Sequence, residues 1–339
     1  MQTFAALTLW ALSTTAQAQQ INLSLDPAAT GDLLNEQQIE GQLNEALAEQ
    51  LKLGDQDQFT RSMAEAASMS IKGLGVDYAS NIKTFVVGGA ISSGAHEAGL
   101  SFKKGEATLP QGGYAGQLTL MAGLNLGMGG KEKGFFDRFR LYANGLALKF
   151  PSSREFGGNM ANVGGHLQFK LIGGINGKIV EWGGLDLTSG FEYTHYTLSL
   201  RSDLPLPAPI AGGNATWGAT GTYDLNTSAW SMPIEASTNL RVAVATVYLG
   251  GAYDLNTATT TSDAALNGPI TATITDININ NERIGSASLN LSGSGSAAPT
   301  NVRIFMGAQA NIMMLKAYGH LNIGLNGALG GHLGLRVAM

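Results

Sequence analysis

Along most of this chain apolar residues fall at every second position, the spacing of a strand with two unlike faces. From Val302 to Ile312, residues Val302, Ile304, Met306, Ala308, Ala310 and Ile312 share one face, and Arg303, Gly307, Gln309 and Asn311 share the other, with Phe305 the exception. The next run sets Leu321, Ile323 and Leu325 against His320, Asn322, Gly324 and Asn326. The last sets Leu333, Leu335, Val337 and Met339 against His332, Gly334, Arg336 and Ala338. The same alternation recurs upstream in Leu118 to Leu126, Gly165 to Leu171, Leu185 to Tyr193, Ile234 to Thr238 and Val247 to Tyr253. These runs are about 9 to 13 residues long, the length a tilted strand needs to cross a bilayer.

A water-soluble sandwich would also alternate. The residue types decide between the two. Gly, Asn, Gln, Arg and His suit a wet, crowded barrel interior, and the opposite face stays apolar to its ends, as lipid contact requires. Backbone groups cannot go unpaired in hydrocarbon, so such strands must close on themselves. The pattern therefore predicts an all-β fold over residues 71–339, an antiparallel up-and-down transmembrane β-barrel of about 12 strands, within roughly 10 to 14. Tight inner turns are expected near Asn239 to Arg241 and Met313 to Lys316. Long outer loops are expected at 94–112, 150–161 and 256–300; the last carries alternating segments, Ile270 to Ile277 and Ile284 to Leu291, that read as a hairpin above the membrane or as two further barrel strands. His166, Lys170, Asp186, Glu192, Glu235, Arg303, Gln309, His320, His332 and Arg336 are predicted to line the lumen.

Residues 19–70 follow a different period. Ile39, Leu43, Leu47 and Leu51 recur every four residues and share one face of a predicted helix over Asn35 to Leu53, which Gly54-Asp55 ends. A shorter helical run, Gln58 to Met69, follows. This segment reads as a periplasmic piece or a lumenal plug whose apolar face is that stripe. Ahead of it, Phe4 to Leu12 and Ala16-Gln17-Ala18 match the apolar core and cleavage site of a signal peptide over residues 1–18, although no Lys or Arg precedes the apolar run. The expectation is an exported protein of the bacterial outer membrane.

Composition sharpens this reading mainly by exclusion. Charged residues make up 13% and glycine 46 of 339 positions, so the chain is rich in small neutral residues that suit strands and turns. A net charge of −5 with no basic stripe leaves nothing to neutralise nucleic-acid phosphates. The absence of cysteine excludes disulfides, thiolate metal sites and a lipidated N-terminal Cys in the mature chain. Pro205, Pro207 and Pro209 forbid a central strand where they stand. If Tyr223-Asp224-Leu225-Asn226-Thr227 and its echo Tyr253 to Thr257 both mark outer strand ends, the prolines lie on the inner side.

The export signal, the alternating strands and the terminal run His332 to Met339 resemble bacterial outer-membrane β-barrel proteins, over about residues 72–339. In that group the last strand carries apolar residues at alternate positions that the barrel-assembly machinery reads. The resemblance implies this role for Leu333, Leu335, Val337 and Met339, with Met339 standing where an aromatic is usual. A helix ahead of a barrel is also similar to the hatch of long-chain fatty-acid transporters, without their Asn-Pro-Ala signature. Outer-membrane lipid is the expected partner beside that machinery.

Candidate chemistry is sparse. His166 and His195 are the bases available to a serine hydrolase, and neither sits in a recognisable motif. His320 and His332 are predicted to face each other across neighbouring strands, a thin ligand set for a metal. Trp182, Trp217, Trp230, Tyr193, Tyr223, Tyr248 and Tyr253 are candidates for an interfacial aromatic girdle. No catalytic residue, metal or cofactor is assigned. The leading function is a channel or transporter for small or apolar solutes; the alternatives are a structural or surface-exposed barrel acting through its loops and, after it, a lipid-modifying enzyme.

Overall fold

A computed structural model describes residues 21–26, 36–50, 56–96, 112–128, 134–151, 153, 155–177, 179–210, 213–274 and 279–339. The signal-peptide reading, Leu51 and most of the 94–112 loop lie outside the described residues. In chain order the elements are β1 (Asn22–Leu25), α1 (Glu36–Gln50), α2 (Gln56–Ser70), β2 (Phe85–His96), β3 (Gly113–Asn125), β4 (Phe139–Phe150) and β5 (Phe156–Ile172). Then come β6 (Ile175–Asn176), β7 (Val180–Ile210), β8 (Gly213–Val242), β9 (Ala245–Ile274), β10 (Ile279–Ser296), β11 (Thr300–Ile312), β12 (Leu315–Gly324) and β13 (Leu329–Ala338). Residues 72–80 form no strand or helix: Gly73 and Gly75 take positive φ and turn the chain.

All thirteen strands belong to one antiparallel sheet. Ten of them close a ring, β2-β3-β4-β5-β7-β8-β9-β11-β12-β13, and β13 pairs back onto β2 from Leu329↔Ala95 to Ala338↔Val86. No described helix is long and apolar enough to cross a membrane; the strands do so. Their outward residues are those the alternation assigned to lipid: Leu120, Leu249, Ile234, Leu333 and Leu335 each expose between 58% and 64% of their surface. Two inner turns are two-residue hairpins, closed by Val242↔Ala245 and Ile312↔Leu315, with Ala243 and Met313 at positive φ. The first falls just beyond the expected 239–241 because β8 runs on to Val242.

Three strands are far longer than a bilayer requires. β7, β8 and β9 have 31, 30 and 30 residues. Their outer halves leave the ring and continue as a five-stranded sheet, β7-β8-β9-β10-β1. The 256–300 stretch, expected as an outer connection carrying either a raised hairpin or two further barrel strands, is mostly strand outside the ring: β9 runs on to Ile274 and β10 returns beside it before β11 joins the ring. The prolines stand at the outer tip of β7, not on the inner side. There Pro205, Pro207 and Pro209 pair only with β8, and nothing described pairs with their other edge. Their alternate spacing puts all three nitrogens, which lack a donor, along one edge, where a further strand cannot add.

The projecting sheet has its own core. Leu204, Leu206, Trp217, Leu266, Ile270 and Ile274 turn inward and meet Ile39 and Leu43 of α1. Removing each such side chain from water contributes about 1.5–3 kcal/mol. The stripe proposed as a plug face thus covers this sheet; the side chain of Leu47 is not described. The helix that enters the ring is α2, which contacts β2, β3, β8, β9 and β13 as well as β10. The difference is physical. A Leu/Ile stripe needs an apolar partner, which the projecting sheet supplies and the polar interior of the ring does not. α2 instead offers Ala64, Ala66, Ala67, Ser62, Ser68 and Ser70, all buried. It lies directly against the wall: a Cβ on Gly94 would come 2.0 Å from the Ala66 carbonyl, and one on Gly113 would come 2.1 Å from that of Ser62.

Candidate functional site

Inside the ring, below α2, the chain from Ile71 to Thr84 crosses an interior dense with charge. Arg303 on β11 is fully buried and is satisfied on three sides. Its Nε donates to Asp254 Oδ2 at 3.0 Å, its Nη1 to Asn322 Oδ1 at 2.6 Å, and its Nη2 to Glu235 Oε1. Lys72 donates to Ser231 and, at 2.6 Å, to Asn256, with Asp254 3.8 Å away. Tyr78 donates its hydroxyl to Glu235 Oε2 at 2.6 Å, and the Gly73 amide donates to Glu192 Oε1 at 2.7 Å. Nearer the inner end, Asp77 meets Arg336 at 2.8 Å, and Arg336 also donates to Gln309 and lies 4.2 Å from the Tyr318 ring centre. Lys170 bridges Asp186 at 3.2 Å and Asn81 at 3.0 Å. These contacts tie residues 72–81 to the wall around its circumference.

The ten residues read as lumen-lining all point to this interior, and nine of them are buried, with Lys170 partly so. His320 and His332 pair directly across β12 and β13, as their spacing implied. Their rings stack at 4.8 Å, and Tyr78 stacks on His320 at 5.5 Å. His320 meets Tyr248 and Asn322, so it is a member of a hydrogen-bonded stack with aromatic neighbours. Among the described residues no group of three or more metal-ligating acids or imidazoles exists. The interior partners that periodicity missed are Lys72, Asp77 and Tyr78, which belong to no regular element, and Arg140; Asp254, Asn239 and Asn322 lie on the polar faces of their runs and join the ten.

The two candidate bases lie on opposite faces of the wall. His166 is inside, 3.7 Å from Glu192, and no described hydroxyl is hydrogen-bonded to it. His195 is outside, with Nδ1 3.0 Å from Ser228 Oγ, and no described carboxylate is hydrogen-bonded to its ring. Each therefore lacks one member of a nucleophile, base and acid set. The aromatic candidates also divide. Tyr193, Trp230 and Tyr253 point outward. Trp182 is half-buried and donates to Thr238, while Trp217, Tyr223 and Tyr248 are buried inside.

One register row separates two environments. Tyr193 pairs with Trp230, and Trp230 with Thr257. On the inner side of this row the outward residues are Phe191, Met232, Ile234, Leu249 and Leu255 and the inward ones Glu192, Ser231, Glu235 and Asp254. On the outer side the outward residues are Thr197, Asn226, Thr259 and Thr261 and the inward ones Leu200, Leu225, Tyr223, Ala258 and Leu266. Polarity inverts while the strands continue. A membrane-facing surface ends where its apolar residues end, with aromatics at the boundary. The row therefore marks one edge of the membrane. The opposite edge carries Phe135, Phe136, Phe139 and Phe169 in edge-to-face and tilted contact.

These features define a membrane-spanning β-barrel with its own N-terminal residues threaded through it and a sheet raised beyond one membrane surface. The chain belongs to the Lsa36-like family, whose model matches residues 16–339. No curated protein matches it. Solved structures similar to it include the toluene transporter TbuX of Ralstonia pickettii, at 8% identity and a TM-score of 0.25, covering 83% of this chain and 98% of that one. The translocator domain of the autotransporter NalP from Neisseria meningitidis matches at 12% identity and a TM-score of 0.30, covering 77% and 90%. A FadL homologue of Pseudomonas aeruginosa matches at 11% identity and a TM-score of 0.23, covering 82% and 97%. At such values these likenesses carry no argument about what this chain does.

Proposed function

We propose that the protein is a bacterial outer-membrane barrel that is closed by its own N-terminal segment and acts through the sheet it raises beyond the membrane. The observation that carries this reading is the charged interior: Lys72, Asp77 and Tyr78 on the threaded segment are bound to Asp254, Arg336 and Glu235 on the wall. A ring of about eight strands is just filled by its own side chains; the extra width of ten strands is taken up here by α2 and the threaded segment. The outward residues Leu333, Leu335, Val337 and Met339 on and after β13 present the alternating edge that an assembly machinery would read.

Orientation and closure are tested together. The chain has no native cysteine, so Thr261→Cys and Val244→Cys each introduce a single thiol. A membrane-impermeant maleimide on intact cells should label Thr261→Cys and leave Val244→Cys unlabelled; the reverse would overturn the reading. In planar bilayers the wild-type chain should show no conductance steps, and steady open-channel current would likewise overturn it.

A second reading, gated passage of small or apolar solutes, is favoured by one feature. The threaded segment is held by hydrogen bonds and ion pairs, which exchange for water more readily than an apolar seam does. Current in Lys72→Ala/Asp77→Ala but not in the wild type would favour that reading.

A further inference from the structure

The outer face of the projecting sheet is unusual for a surface in water. Exposed sheet faces ordinarily carry interspersed Lys and Glu, whereas this one is built of neutral hydroxyls and amides in register. Thr197, Asn226, Thr261 and Ser294 form one row across four strands, each paired with the next. The next row outward is Ser199, Asp224, Asp263 and Ser292. A depression of ≈ 350 Å³ lies over it, with Ala265 between Thr222 and Asn290. Charges on this face are few: Asp203, Asp224 and Asp263 outnumber Arg201 and Arg283 by one.

Two facts narrow what covers such a face. The first is continuity. The rows begin one step beyond Tyr193 and Trp230, past the row of His195, Ser228, Thr259 and Ser296, on strands whose inner halves face lipid, so their surroundings are the headgroups of the outer leaflet. The second is charge. An acidic balance repels lipid phosphate, and uncharged donors and acceptors in a repeating array match a hydroxyl-rich, neutral ligand. Asp224 and Asp263 are directly opposed, which is unfavourable for two carboxylates unless donors separate them. Ser199 supplies one, donating to Asp224 at 2.5 Å, and ligand hydroxyls over the depression would supply others.

We infer that the outward face of β7–β10 just beyond the Tyr193–Trp230 row is a docking surface for the neutral saccharide headgroups of outer-leaflet glycolipids. This rests on the proposed orientation of the sheet outside the membrane, which the cysteine labelling tests separately. Single hydrogen bonds of this neutral kind contribute about 1 kcal/mol net, so recognition comes from several made at once by a headgroup held at the surface.

The test places the full chain in phosphatidylcholine nanodiscs containing equal small fractions of digalactosyldiacylglycerol and phosphatidylglycerol, and compares the lipids retained on extraction with detergent. The digalactosyl lipid should be retained about tenfold over phosphatidylglycerol, the equivalent of one or two neutral hydrogen bonds. Asn226→Val/Thr261→Val should remove most of that preference. Thr216→Val/Thr271→Val, about 30 Å farther along the strands at ~3.3 Å per residue, should keep it. Folding of each variant is checked by the heat-dependent gel shift of the closed barrel, and a second pair, Thr197→Val/Ser294→Val in the same row, replaces any that fails. Equal retention of the two lipids, loss of preference in the distal pair, or equally tight binding of the water-soluble disaccharide would each overturn the inference.

Discussion

The inner and outer halves of β7, β8 and β9 solve the same packing problem with opposite chemistry. In the inner half, apolar side chains face out and the interior is held by Arg303, Glu235, Asp254 and Lys72. In the outer half, hydroxyls and amides face out and the interior is Trp217, Leu266, Ile270 and Ile274. The backbone and its alternation are continuous across the boundary, so secondary structure does not distinguish them. The solvent does. Lipid removes the reason to bury apolar groups, so the inner half spends its apolar residues on the outside and closes its interior with paired charges. Water restores that reason, and the outer half turns the same strands inside out.

The comparison predicts which single changes are most damaging. Arg303→Ala leaves Glu235 and Asp254 facing each other across a site with no exposure. Losing one partner of such a buried set costs about 3–5 kcal/mol, read as a lower urea midpoint for the folded barrel in lipid. Arg303→Ala/Glu235→Gln should recover part of the loss, because one orphaned charge goes with its partner. If the single variant is as stable as the wild type, the interior charges are not what holds the inner half together.

Ile270→Ala tests the other half. Ile270 is fully buried beneath the projecting sheet, and truncating such a residue costs about 2–4 kcal/mol. The loss should be local, because the closed ring does not depend on this core. Limited proteolysis should cut within 200–290 while the barrel keeps its heat-dependent gel shift. Collapse of both together would show that the two halves fold as one cooperative unit and break the distinction drawn above.

Much of the inner half was legible in the sequence because period-two alternation survives without any knowledge of which strands pair. Leu333, Leu335, His332 and Arg336 take the faces their parity demands, and the His320–His332 juxtaposition follows from the short turn between their strands. The outer half was harder to read because the alternation continues there while its meaning reverses. Asn226 and Thr261 look like interior residues of a barrel, and Leu225 and Leu266 like lipid-facing ones, until the Tyr193–Trp230 row is located. The threaded segment was hidden for a different reason. Lys72, Asp77 and Tyr78 belong to no periodic element, and their roles come from partners 150 or more residues away. The apolar stripe of α1 was visible, but its partner was not, since amphipathicity names a face and not what it covers.

The sharpest use of the comparison is one substitution made on each side of the boundary on a single strand. Leu249 and Thr261 both point outward on β9, on opposite sides of Thr257. An arginine on the lipid face of a barrel costs about 2–4 kcal/mol near the bilayer midplane and about 0–1 kcal/mol at the interface. Leu249→Arg, which replaces a residue 60% exposed to lipid, should therefore lower stability by about 2 kcal/mol in the same urea experiment. Thr261→Arg places the same charge among headgroups and water, where surface changes stay within about 0.5 kcal/mol. Tyr253→Arg should fall between them and show where along β9 the cost declines. If Thr261→Arg costs as much as Leu249→Arg, the membrane edge lies farther out than the Tyr193–Trp230 row, and the hydroxyl rows are then buried in lipid rather than raised above it.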